Sequence, residues 1–306
     1  MAAAQEALRH HGLNVDRNPL VEDATTGGPG EQSQDWPGSD QALRPQADHG
    51  EQTYRGGGKL EGLSGLVTGG DSGIGRAVAI AFAREGAHVA IAYYDEHEDA
   101  RETVRWIEDA GRRALAIDGD LRDPEHCRAV VERTVRELGG LDILVNNASV
   151  HFEVEGFGEV TPEQLDQTFR TNIYAYFYMA QAALPHLEAG DVIINTGSVV
   201  AMTGHPSLPD YAATKAAIHN LTRSLGFSLT DRGIRVNCVA PGPVWTPLIA
   251  ATRSPEQVAK HGASALWKRP AQPAELAPSY VFLASTDSRY YTGEVLTPSG
   301  MQMTSR

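Results

Sequence analysis

The sequence is poor in cysteine, in basic residues and in long apolar runs. Cys127 and Cys238 are its two cysteines, too few for a disulfide framework, and neither lies at metal-ligand spacing from a second Cys or a His. No run approaches the eighteen or more apolar residues that a membrane span requires. A net charge of −13 leaves no broad basic surface for nucleic acid, so we expect a small ligand. The N-terminus lacks the apolar core of a signal peptide, which favours a cytoplasmic protein.

The first 59 residues differ in composition from the rest of the chain. Between Asn18 and Gly58, twelve of 41 residues are Gly or Pro, aliphatic residues are few, and no helical or strand period is found. Two alternatives stay open at this point. The segment is either a disordered tail or an extended arm on the body or on a neighbouring subunit, with Trp36 and Tyr54 as anchors.

From residue 60 onward, short apolar runs alternate with amphipathic stretches of helical length. Continuous apolar strands that alternate with helices are typical of a parallel sheet covered on both faces. The pattern predicts one doubly wound α/β domain over residues 60–306. In such domains ligands bind beyond the carboxyl ends of the strands, which makes the residues after each strand the candidates for a site.

A glycine-rich turn, "TGGDSGIG", follows the first predicted strand and opens a helix. Gly69, Gly73 and Gly75 let the backbone turn tightly, and the helix N-terminus offers unpaired N–H groups to a pyrophosphate. The turn therefore indicates a dinucleotide site, although an ordinary tight turn has the same composition.

The end of the second predicted strand is acidic. Asp95 and Glu96 lie there, with no Lys or Arg before Arg101, so a 2′-phosphate would be repelled. This favours NAD modestly over NADP. Two alternatives remain open: Arg76 could reach across and reverse the preference, and the two carboxylates could simply favour a helix start.

Tyr211 and Lys215 are four residues apart in a chain with only four lysines. On a predicted helix over residues 210–229 the two side chains share one face. A neighbouring cation can lower the pKa of a tyrosine by roughly 1–3 units, which would let the phenol exchange a proton with an alcohol or carbonyl. The other interpretation is a surface tyrosine that packs along a lysine stem.

Taken together and in order, these motifs resemble the short-chain dehydrogenase/reductase superfamily over residues 60–298. The resembling segments are "TGGDSGIG", "GDL" at 119–121, "NNAS" at 146–149, "YAATK" at 211–215 and "APGPVWTPL" at 240–248. The resemblance implies a Rossmann-like fold and an NAD- or NADP-dependent enzyme that interconverts an alcohol and an aldehyde or ketone. The arm is similar to that of a bacterial subgroup with extended N-termini, which favours an ordered arm that wraps a neighbour.

The resemblance also assigns site residues. Tyr211 would be the acid/base, Lys215 would lower its pKa and bind the nicotinamide ribose, Ser198 would bond the substrate oxygen, and Asn172 would hold a proton-relay water. The cofactor residues implied are Gly69, Asp71, Ser72, Gly73, Ile74, Tyr94, Asp120, Leu121, Asn147, Ala148, Tyr211, Lys215, Pro241, Gly242, Val244 and Thr246. Ser149 in place of the family's glycine, and "TPSGMQM" near the C-terminus, depart from the pattern.

The substrate and the partner are less narrowly defined. Trp245, Leu248, Ile249 and Trp267 suggest an apolar pocket, with residues 205–208 as the opposite wall, and hence a small apolar carbonyl or alcohol. Helices that are apolar on nearly all sides indicate a symmetric partner, as a homotetramer or homodimer. Two other functions stay open: a cofactor-binding sensor without turnover, and a dehydratase or epimerase of the same family.

Overall fold

Seven strands, each rich in aliphatic residues, form one parallel sheet. The structure is a computed structural model and describes residues 23–300. The strands are β1 (Ser64–Thr68), β2 (His88–Tyr93), β3 (Ala114–Asp118), β4 (Ile143–Asn146), β5 (Val192–Thr196), β6 (Arg235–Val239) and β7 (Val295–Leu296). Their order is β3-β2-β1-β4-β5-β6-β7, and every pairing is parallel. The chain reverses its direction of winding between β1 and β4, which places a ligand crevice at their carboxyl ends.

Ten α-helices cover the sheet within the described part of the chain. They are α1 (Gly73–Arg84), α2 (His97–Asp109), α3 (Pro124–Leu138), α4 (Pro162–Phe169), α5 (Ala175–Ala183), α6 (Val200–Thr203), α7 (Pro209–Leu229), α8 (Pro247–Thr252), α9 (Pro255–Ala259) and α10 (Pro273–Ala284). A π-helical turn, Arg170–Tyr174, joins α4 to α5. The two principal cores lie on opposite faces: α1, α2 and α10 cover one, and α3, α5 and the end of α7 cover the other.

Alternate strand residues supply these two cores. Val67, Ile91 and Val145 belong to the core beneath α1, whereas Leu66 and Leu144 belong to the core beneath α3. Because side chains alternate across a sheet, strands buried on both faces are apolar at most positions. The doubly wound, Rossmann-like fold predicted from the sequence is confirmed. Within residues 23–300 no helix is long and apolar enough to cross a membrane.

The described part of the arm, residues 23–59, lies on the body of its own chain. Its sole regular element is a 3-10 turn, Asp40–Ala42. Trp36 packs against Tyr94, and the Tyr54 hydroxyl donates a hydrogen bond to Glu85 Oε1 at 2.6 Å. Both residues therefore act as anchors onto the body of the chain, and a contact of the arm with a neighbouring subunit stays a prediction. Residues 1–22 of the predicted arm lie outside the described residues, and the domain boundary after residue 59 stays a prediction.

Candidate active site

A cavity of about 670 Å³ opens at the carboxyl ends of the central strands. Its size is within the range of small-molecule and cofactor sites. All sixteen residues that the resemblance assigned to the cofactor line it, and so does Ser198. Asn172 is the one assigned residue that does not line it. Residues from widely separated motifs thus meet in one place.

The glycine-rich turn between β1 and α1 borders this cavity. Gly69 and Gly73 have φ values of +61° and +50°, in the left-handed region that favours glycine. A Cβ on Gly75 would lie 1.8 Å from the carbonyl oxygen of Gly69, so a larger residue would push α1 away from the strand. The turn brings bare backbone and a helix N-terminus to the cavity, and this cradle fits the pyrophosphate of a dinucleotide.

Carboxyl groups, together with the Arg122 guanidinium, line the part of the cavity beyond β2. Asp71 and Glu96 line it, and burial raises the pKa of Asp71 to about 6 and that of Glu96 to about 8. Arg76 is buried and donates to the carbonyl oxygens of Asp71 and Asp99, each at 2.9 Å. These bonds hold Arg76 in the protein interior, which removes the main argument from sequence for a 2′-phosphate contact by this residue.

Tyr211 and Lys215 lie one turn apart on α7. The Lys215 ammonium is 5.4 Å from the centroid of the Tyr211 ring and donates a hydrogen bond to the carbonyl oxygen of Thr196 at 2.9 Å. Burial raises the pKa of Tyr211 to about 12, while a hydrogen bond with Ser198 acts in the opposite direction. Burial also lowers the pKa of Lys215 to about 7. The structure therefore does not show the lowered tyrosine pKa expected from sequence, because desolvation disfavours the charged form of both groups.

Asn172 lies in the π-helical turn and is fully buried. Its Oδ1 accepts hydrogen bonds from Ser149 Oγ at 3.1 Å and from the Val150 N–H at 2.8 Å. Its Nδ2 donates to the Val150 carbonyl at 2.9 Å and to Thr214 Oγ1 at 3.2 Å. The side chain thus ties the segment after β4 to the helix that carries Tyr211, and its predicted role with a relay water stays a prediction. Ser149, the departure from the family glycine, takes part in this connection.

The segment from residue 243 to residue 270 was predicted to cover the cavity, and only some of its predicted residues line it. Leu248 and Ile249 line the cavity, as do residues 205, 206 and 208 on the other wall. Trp245 is instead fully buried in a separate cluster with Leu43, and its Nε1 donates to the carbonyl of Pro45 at 2.9 Å. Trp267 also lies outside the lining. The prediction of two tryptophans in an apolar pocket was wrong, because the arm takes up Trp245.

Polar residues that the sequence analysis missed complete the cavity near Tyr211. His151 packs its ring edge-on to Tyr211 at 5.1 Å, and burial and the Arg253 charge hold its pKa well below the usual range. Arg253 pairs with Glu153 at 3.1 Å. The position of His151 just after β4 was a usable signal. The position of Arg253, six residues beyond Pro247, was not.

The C-terminal departure from the family pattern packs against the proline-glycine loop. Gly242 donates to the carbonyl of Pro298 at 3.2 Å. A Cβ on Gly242 would lie 2.5 Å from the carbonyl oxygen of Ser299. The segment 297–300 therefore supports the loop that borders the cavity, and the last residues of "TPSGMQM" lie outside the described residues.

Comparison with known proteins agrees with this fold. A family model described as enoyl-(acyl carrier protein) reductase matches residues 69–300. The oxidoreductase YhdF of Bacillus subtilis is 50% identical over 284 residues, 92% of this chain and 98% of that protein. A glucose and ribitol dehydrogenase of Daucus carota is 45% identical over 89% of this chain and 96% of its own length.

A solved structure gives the same result. It is a short-chain dehydrogenase from Burkholderia cenocepacia in complex with NADP, with a TM-score of 0.75 and 36% identity, and it covers 79% of this chain and 98% of its own. The chain belongs to the short-chain dehydrogenase/reductase superfamily and is an oxidoreductase of that family.

Proposed function

We propose that this protein interconverts an alcohol and an aldehyde or ketone with a nicotinamide dinucleotide, and that Tyr211 is the acid/base. The observation that carries the proposal is the meeting of Tyr211, Ser198 and Lys215 in a cavity that also contains the glycine-rich cradle. Each group alone has an ordinary structural explanation. Their convergence beside a dinucleotide-sized cleft is what favours chemistry.

A reduced nicotinamide held in this cleft would supply the hydride for the carbonyl carbon of the substrate. The Ser198 hydroxyl donates a hydrogen bond to the carbonyl oxygen and positions it. Tyr211 gives its phenolic proton to that oxygen, so the product is a neutral alcohol and the tyrosine is left as a phenolate. The Lys215 ammonium, one helical turn away, stabilises this phenolate. A buried phenol with a pKa of about 12 holds its proton at neutral pH, which suits proton donation.

Spectrophotometry of the reduced cofactor across a panel of aldehydes and ketones tests this function. We expect Tyr211→Phe to lower kcat by about 10²–10⁴-fold, the usual contribution of a positioned acid or base, while cofactor affinity stays within a few-fold. The exposed Tyr290→Phe change is the matched control and should leave kcat unchanged. Equal rates for the wild-type protein and Tyr211→Phe would refute the role of this phenol.

We infer that the cofactor is NAD in preference to NADP. Asp71 and Glu96 line the cavity beyond β2, and Arg76 is held by hydrogen bonds inside the protein. At neutral pH a 2′-phosphate would meet like charge at Asp71, whereas Glu96, with a pKa of about 8, is largely protonated and would not repel it. The Burkholderia relative was solved with NADP, so the two cofactors must be compared directly in kcat/KM. A kcat/KM for NADP equal to or above that for NAD would overturn the preference.

The substrate that we propose carries hydroxyl groups, unlike the small apolar compound expected from sequence. His151, His205 and Arg253 line the cavity together with Tyr211. The name of the Daucus carota relative, a glucose and ribitol dehydrogenase, agrees with a polar pocket. Polyols and aldoses should give higher kcat/KM than aliphatic alcohols and aldehydes of equal chain length. The opposite ranking would support the small apolar substrate that was predicted from the sequence.

A second copy of the chain is the partner that we propose. Tyr174, Phe177 and Phe227 expose 41%, 43% and 86% of their side chains on neighbouring helical segments. Exposed aromatic side chains of this kind are enriched at subunit contacts. Light scattering should give the mass of a dimer or tetramer, and Phe177→Glu should reduce it.

We also propose a cytoplasmic location, which fractionation of the source cells would test.

A further inference from the structure

The arm contributes a wall to the cofactor cleft. Trp36, Pro37 and Gly38 all line the cavity, although they precede the first strand by about 26 residues. The Trp36 ring lies 5.6 Å from Tyr94, which follows β2, and 6.4 Å from Phe152, which lies beyond β4. Because β2 and β4 flank β1 in the sheet, the indole lies across the end of β1, where the glycine-rich turn begins.

Asp40 fixes this segment to the glycine-rich turn. Its carboxylate is buried and accepts a hydrogen bond from the Gly73 N–H at 2.9 Å, at the first residue of α1. Its own N–H donates to Asp99 Oδ2 at 2.9 Å, and the His49 imidazole lies 3.1 Å from the carboxylate. A carboxylate at a helix N-terminus is stabilised by the helix dipole. The arm is therefore attached to the same turn that would hold the pyrophosphate.

The arm is also attached to the segment that covers the cavity near Tyr211. Gly38 has a φ of +86°, and a Cβ there would lie 3.0 Å from the carbonyl oxygen of Pro247 on α8. The Gln34 N–H donates to the carbonyl of Ala250 at 3.0 Å. Trp36 thus lies between two attachments, one on α1 and one on α8, with 37% of its surface exposed.

We propose that Trp36 is a cofactor-binding residue that covers the ribose–pyrophosphate segment of a nicotinamide adenine dinucleotide. The inference rests on the proposed function and adds a wall that the glycine-rich fold alone does not supply. A large aromatic side chain that is partly exposed, bordered by two other aromatic rings and held over a cleft can pack on a sugar or a base and exclude water from the phosphates. The remaining exposed surface of the indole is what the cofactor would cover.

Cofactor affinity in the absence of substrate tests this inference. The Kd of the reduced cofactor is measured by titration calorimetry for the wild-type protein, Trp36→Ala and Trp36→Phe. We expect Trp36→Ala to raise Kd on the order of tenfold, because the contact area between the indole and the ribose is lost, and Trp36→Phe, which keeps an aromatic ring, to raise it less than threefold. Trp106→Ala, at a tryptophan that does not line the cavity, is the control and should leave Kd unchanged.

A second readout guards against a folding defect in Trp36→Ala. Tryptophan-sensitised emission of the bound reduced cofactor should fall in Trp36→Phe and stay constant in Trp106→Phe. If the wild-type protein binds neither NADH nor NADPH, the proposed function itself fails. If the wild-type protein binds and Trp36→Ala binds equally well, the proposed function stands and the role of Trp36 is overturned. Equal weakening by Trp36→Ala and Trp106→Ala would overturn it as well.

Discussion

Replacement of Lys215 by Met should stabilise the protein in the absence of cofactor while it abolishes turnover. The Lys215 side chain is 1% exposed, and burial lowers its pKa from 10.5 to about 7. At about 1.4 kcal/mol per pH unit, this fall means that the charged form is destabilised by about 5 kcal/mol in the folded protein. A methionine of similar length carries no such penalty.

The replacement also removes the hydrogen bond to the carbonyl of Thr196. The Thr196 carbonyl keeps a hydrogen bond from the Tyr176 hydroxyl at 3.3 Å, so the lost bond costs about 0.5–1.5 kcal/mol and leaves a net stabilisation of about 3–4 kcal/mol. For a domain of this size the unfolding temperature should rise by roughly 5–10 °C. Scanning calorimetry at pH 7 measures this rise. Lys260→Met, at an exposed lysine, is the control and should shift the midpoint by less than about 1 °C.

The pH dependence of the stability difference between Lys215→Met and the wild-type protein gives a sharper test. Between about pH 7 and pH 10.5 the unfolded chain keeps the lysine proton that the folded protein has released, so this group makes the wild-type protein more stable as pH rises. Lys215→Met lacks that gain, and its advantage should shrink by about 2 kcal/mol between pH 7 and pH 9. If Lys215→Met were no more stable than the wild-type protein at pH 7, or if its added stability grew as pH rises, the reasoning would be refuted.

Two further predictions concern the glycine-rich turn and the arm. Gly75→Ala should weaken cofactor binding by more than about 100-fold, because its Cβ would lie 1.8 Å from the Gly69 carbonyl oxygen. Calorimetric titration measures the binding, and Gly140→Ala, a change with open space around it, is the control. Tight binding by both variants would contradict the predicted clash. Burial lowers the pKa of His49, but the nearby Asp40 carboxylate outweighs this effect and raises that pKa to about 9. The stabilisation from this pair is fully present below about pH 6.5 and is lost as pH rises through about 9, so the difference in unfolding temperature between the wild-type protein and His49→Gln should be largest near pH 6. A difference that is constant from pH 6 to pH 10 would count against the ion pair.

The sheet and the catalytic end of the cleft were predictable because their determinants are local. Strands buried on both faces are mostly apolar, and six of the seven strands were visible as largely apolar runs; the seventh, Val295–Leu296, is too short to give a pattern. Four of the five site motifs were found because each follows a strand that ends at the same edge of the sheet, and the fifth, at 211–215, was found from its spacing on α7.

The arm and the polar end of the cavity were not predictable in the same way. Trp36 reaches the cleft through contacts with residues far along the chain, and no local periodicity records such contacts. Trp245 was assigned to the pocket because it is apolar and close to the proline-glycine loop, yet a buried indole needs a partner for its N–H, and the Pro45 carbonyl provides it. The pKa values of Tyr211 and Lys215 likewise depend on their burial, which residue spacing alone does not define.

The docking of the arm also orders the events of folding. The Asp48 N–H donates to Gln272 Oε1, a contact that joins residues 224 positions apart. Contacts of such high sequence separation close large loops and form slowly. During synthesis the arm leaves the ribosome before the α8 and α10 segments on which it packs. It can take its final place only after those later segments have been made, so the wall that Trp36 adds to the cleft forms late.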